Sequence, residues 1–87
     1  MTTRFELVTE LRASTWKEDR YGHFVVTHND KKYRLKIQAM SVRFEKQALI
    51  AGKNEWLRVI SDYYKNITVG EREGKRVIRI GNRALPL

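Results

Sequence analysis

Lys32-Tyr33-Arg34-Leu35-Lys36-Ile37 alternates cation and apolar residue without a slip. In a β-strand successive side chains point to opposite faces. Tyr33, Leu35 and Ile37 therefore line one face, and Lys32, Arg34 and Lys36 form a row of positive charge on the other. The apolar side has to be buried. The cationic side has to stay in water or meet something anionic.

Just before this stretch, residues 23–28 read as a strand rich in Phe24, Val25, Val26 and Thr27. Asn29-Asp30 supplies turn residues that tolerate left-handed backbone angles. A two-residue turn there sets Val26 opposite Tyr33 and Phe24 opposite Leu35, which keeps the apolar residues together. His23, Val25, Thr27, Lys32, Arg34 and Lys36 then gather on the reverse face.

Residues 4–13 place Phe5, Leu7, Leu11 and Ala13 on one parity, as a strand would, although Val8 and Thr9 interrupt the pattern and a short helix is the alternative. A polar connection, 16–22, carries Trp16 and Tyr21 and closes on Gly22. Over 44–65, Leu49, Trp56, Ile60 and Tyr63 recur at helical spacing, with Leu57 and Tyr64 widening the stripe. Gly52 interrupts that segment and Asn54 is placed to cap a second piece. A second hairpin pairs 67–69 with 77–80 around Glu73-Gly74, setting Val69 against Ile78 and leaving Lys75 and Arg79 on the reverse side. The tail 83–87 either straps the core or frays.

These segments predict an α+β fold in the order β-β-β-α-β-β. The arrangement expected is a two-layer sandwich, with a mostly antiparallel sheet covered on one face by a single main helix. The other sheet face is left open, and both hairpins place cations on it.

Eighty-seven residues suffice for one small domain, 1–87, with no room for a second core. The net charge is +8, and its distribution is uneven. Residues 1–30 hold four Lys/Arg against five Asp/Glu, residues 31–60 eight against two, and residues 61–87 six against three. This basic excess suits an anionic partner, and it also serves solubility. No apolar run approaches the roughly 20 residues of a membrane span, and the N-terminus does not read as a secretory signal. The absence of cysteine removes disulfides and thiolate metal sites. A cytoplasmic location is the default expectation.

Catalytic motifs are missing. His23 and His28 differ by five positions and point to opposite faces of one strand, so a shared metal is not expected. The glycines form no phosphate-binding loop, and no GxSxG or HExxH occurs. No cofactor is expected.

Three functional readings remain. The first is a non-catalytic nucleic-acid-binding domain, with Lys32, Arg34, Lys36, Lys75 and Arg79 on phosphates and Trp16 or Tyr21 stacking on bases. The second is a small protein-interaction or regulatory module, docking an acidic protein or a second copy of itself. Its composition would suit an accessory protein of a virus or mobile element. The third is a metal-independent ribonuclease, with His23 as acid or base beside Arg34 and Lys36.

Overall fold

The computed structural model describes residues 2–87. Thr3 opens a helix, α1 (Arg4–Arg12), by accepting the Glu6 backbone N–H on its hydroxyl at 3.1 Å. Leu7 and Leu11, one turn apart, bury their side chains, while Phe5 stays exposed. The strand expected over 4–13 is therefore a helix, the alternative that Val8 and Thr9 had left open.

Eight antiparallel strands follow: β1 (Lys17–Glu18), β2 (Phe24–His28), β3 (Lys31–Ile37), β4 (Ser41–Ile50), β5 (Lys53–Tyr63), β6 (Thr68–Arg72), β7 (Lys75–Ile80) and β8 (Arg83–Pro86). A 3-10 turn, Tyr64–Asn66, separates two meanders, a five-stranded sheet β1–β5 and a three-stranded sheet β6–β8. The α+β class holds. The order does not, because the helix leads and 44–63 forms two strands and a turn.

The first hairpin has the expected register, with Val26 opposite Tyr33 and Phe24 opposite Leu35. In the second, Val69 faces Ile78 as expected. Asn29-Asp30, Ala51-Gly52 and Glu73-Gly74 all take positive φ at both turn positions. That backbone follows the right-handed twist of the flanking strands.

The helix expected over 44–65 is the long hairpin β4–β5, turning at Ala51-Gly52. Large apolar residues at helical spacing occur because β5 carries them on both faces. A bulge adds to the disguise: Phe44 pairs with Ile60 and Glu45 with Arg58, so Val59 is the extra residue and shifts the parity of β5. β3 pairs with β4 only as far as Lys46, and 47–56 project as a two-stranded ribbon.

A single core joins the two sheets and the helix. Phe24, Leu35, Ile37, Val42 and Phe44 point inward from the larger sheet and meet Leu7 and Leu11 of α1, with Ile67, Ile78 and Ile80 from the smaller sheet's side. The smaller sheet thus does much of the covering expected of a central helix. The tail 83–87 straps the core as β8, pairing Ile78 with Leu85.

Gly81, at the turn into β8, has φ +60, and a Cβ there would collide with Ile60 Cδ1. Gly81→Ala should cost about 1–2 kcal/mol, combining left-handed strain with displacement of Ile60. Urea unfolding would register this as a lower midpoint at unchanged slope.

Candidate nucleic-acid interface

On the larger sheet, every buried apolar side chain lies on the inner face. The outer face is built by the opposite parity. One row runs across all five strands through the pairs Lys17–Val25, Val25–Arg34, Arg34–Glu45 and Glu45–Arg58. A second passes through Lys36, Arg43 and Ser61, and Lys32 stands opposite Thr27. Six cations, Lys17, Lys32, Arg34, Lys36, Arg43 and Arg58, share this face.

Glu45 organises its centre. Only 3% exposed, it accepts two hydrogen bonds on Oε1 from Arg34, at 2.8 Å from Nε and 2.6 Å from Nη2. Arg43 Nε lies 3.2 Å from Oε2, but its N–H makes no hydrogen bond among the described residues, so this contact is an ion pair only. Arg34 is also held from the other side, with its guanidinium carbon 4.4 Å from the centroid of the Trp56 ring. A cation over an aromatic face is attracted by the ring quadrupole. Arg34 is thereby locked, and its side chain is only 18% exposed.

Lys36 and Arg43 face one another across β3 and β4. Like charges directly opposite are destabilising in a sheet, by about 0.2–1 kcal/mol. Glu45 relieves this through Arg43 alone, and Lys36 keeps its charge without an ion pair among the described residues.

Two rings join the cations. Trp56, half-buried, and Tyr63, 56% exposed, lie on the outer parity of β5 as partners of Gln47 and Ser41. The Lys65 ammonium sits 5.9 Å from the Tyr63 ring centroid. Read as one helix, 44–65 sets both rings on the apolar stripe that would pack against the sheet, so the helical spacing hides this platform. Arg43, Glu45 and Arg58 were hidden for the same reason.

The residues expected from sequence are only partly brought together. Lys32, Arg34 and Lys36 share the outer face as expected. Lys75 and Arg79 are exposed, but on β7 of the separate smaller sheet, so they do not extend the same row. Trp16 is corrected from an accessible ring to a core one. It is 3% exposed and donates its indole N–H to the Pro86 carbonyl at 2.7 Å. Tyr21 is accessible, 68% exposed, with the Arg20 guanidinium carbon 4.9 Å from its ring centroid.

Asp19 shapes the loop that presents Tyr21. One of its oxygens accepts the backbone N–H of Tyr21 at 2.8 Å and that of His23 at 2.9 Å. Burial pushes the Asp19 carboxyl up, but these two N–H groups and the nearby charges of His23 and Arg34 outweigh it and hold it below the usual carboxylate range. The His23 ring lies 6.4 Å from that of Tyr21, and its Nδ1 is enclosed with no hydrogen-bond partner among the described residues.

Among the described residues, no helix is long and apolar enough to cross a membrane. No protein-family model, curated protein or solved structure matches the chain.

Proposed function

We propose that this chain is a non-catalytic, cytoplasmic domain that binds single-stranded nucleic acid on the outer face of its five-stranded sheet. The observation that carries this reading is that Lys17, Lys32, Lys36, Arg43 and Arg58 share one uncovered sheet face with Trp56 and Tyr63. Proteins that take single strands combine a cationic track with rings on which bases stack. A broad sheet face suits that mode better than insertion into a duplex groove. Arg34, tied to Glu45, sits over one face of the Trp56 indole and fixes its orientation. The flanking lysines and arginines meet phosphates, and Tyr21 is an accessible further ring.

The wild-type protein should bind a mixed-sequence single-stranded oligonucleotide in a fluorescence-anisotropy titration. Five phosphate contacts at about 0.7 each give a slope of log K against log salt near −3.5. From 50 to 200 mM salt the affinity should then fall roughly a hundredfold. A slope near zero would contradict phosphate contact.

A second reading, self-association, is favoured by one separate observation. β5 is an eleven-residue edge strand, and the ribbon beside it exposes Leu49 and Ile50. Unpaired edges with apolar side chains recruit other strands. Sedimentation of the free protein across a concentration series separates this reading from the first.

A further inference from the structure

The inner face of the larger sheet is not wholly used by the core. Beyond Phe24, Leu35 and Phe44, the next inner row contains Val26, Tyr33 and Lys46, and the row after it pairs His28 with Lys31. Opposite these rows runs β8, anchored by the Trp16 indole bond to the Pro86 carbonyl. Between them lies a cleft of about 540 Å³. That falls within the range of small-ligand sites, about 300–1,000 Å³.

The lining has two chemical zones. Its floor is apolar, formed by Val26, Tyr33, Phe44, Val59 and Leu85. The Tyr33 ring stacks on buried Phe44, with centroids 5.5 Å apart and planes inclined by 23°, which holds it in place at the cleft floor. The polar zone is cationic, with Lys31 and Lys46 from the sheet and Arg83 from β8. Among the described residues, the lining includes no Asp or Glu. None of these three cations has an ion-pair partner among the described residues. Half-buried apolar surface beside unpaired positive charge is complementary to a molecule with one apolar and one anionic end.

We propose that this cleft is a binding site for a small anion carrying an apolar ring. The ring lies against Tyr33 and Leu85, and the carboxylate, sulfonate or phosphate meets Lys46 and Arg83. This site is on the opposite side of the larger sheet from the outer cations, so it stands or falls independently of nucleic-acid binding.

The probe for the test is 8-anilinonaphthalene-1-sulfonate, with N-phenyl-1-naphthylamine as its uncharged counterpart. The sulfonate should bind the full chain saturably at one site, with amide NMR shifts concentrated at Val26, Tyr33, Phe44, Val59 and Leu85. The uncharged counterpart should bind at least about tenfold more weakly, having lost its charge-assisted contacts. Lys46→Glu combined with Arg83→Glu should weaken the sulfonate at least about tenfold. Reversal of Lys32, Lys36 and Arg58 on the outer face should leave it unchanged. Equal binding of the uncharged molecule, shifts centred outside the cleft, or loss of binding on outer-face reversal would each overturn the proposal. If the Lys46/Arg83 variant does not fold, the wild-type shift map and the charge comparison decide the matter.

Discussion

Glu45→Gln should lower the thermal midpoint by about 15 °C, an exceptional effect for a change of one atom. The substitution leaves Arg34 half-buried against Trp56 and Arg43 beside Lys36, with their common counter-ion gone. Removing one partner of a buried ion pair costs about 3–5 kcal/mol. The lower end applies here, because the Gln amide oxygen still accepts the Arg34 hydrogen bonds and because the Arg43 side chain is 36% exposed, so water screens part of its charge. For a domain of this size each kcal/mol moves the midpoint by about 4–8 °C. Circular dichroism melting would measure it. A shift below about 5 °C would mean that Glu45 does not hold the guanidinium pair together.

The same substitution has a second, opposite readout. It adds one net positive charge to the outer face, so the folded variant should bind a single-stranded oligonucleotide more tightly than wild type at low salt. Stability and affinity moving in opposite directions would separate the structural role of Glu45 from the binding role of its neighbours.

Parts of this arrangement were legible in the sequence for physical reasons that can be named. Alternation through Lys32–Ile37 is unbroken, and the Asn29-Asp30 turn accepts positive φ, so period and turn chemistry agreed on one register. The helix α1 also had a signal, Thr3-x-x-Glu6, which matches a capping box and outweighs the strand parity of Phe5 and Leu7. The β4–β5 hairpin concealed itself. Its turn uses Ala51 at φ 49, a residue that does not announce a left-handed position, and the bulge at Val59 breaks the period of two. Trp56 added to the confusion, because a large ring on the outer face imitates a core position of a helix. Glu45 had no local signal at all. Its burial depends on Arg34 arriving from β3, a cross-strand pairing that no window of neighbouring residues contains. The separation of β6–β8 into a second sheet is likewise tertiary, and it took Lys75 and Arg79 off the row that Lys32 begins.

Reversing Lys32, Lys36 and Arg58 together to Glu should abolish most oligonucleotide binding while the fold survives. None of the three has an ion-pair partner among the described residues, and Lys36→Glu places a carboxylate opposite Arg43 where two cations had faced each other. Arg58→Glu in turn sets a second carboxylate opposite Glu45, and the two cross-strand changes are of similar size and opposite sign, so the melting temperature should stay close to that of wild type. Three of the five proposed phosphate contacts disappear and three repulsive charges replace them. The remaining affinity should be at least about a hundredfold lower at 50 mM salt, and the salt slope should collapse from near −3.5 toward zero.

The anisotropy titration of this triple variant beside wild type, at two salt concentrations and with circular dichroism confirming the fold of both, tests the outer-face interface most directly. Strong, salt-sensitive binding by wild type and its loss in a folded variant is the expected result. A folded triple variant that binds the oligonucleotide as tightly as wild type, or a wild type that binds none at 50 mM salt, would contradict the outer sheet face as a nucleic-acid interface.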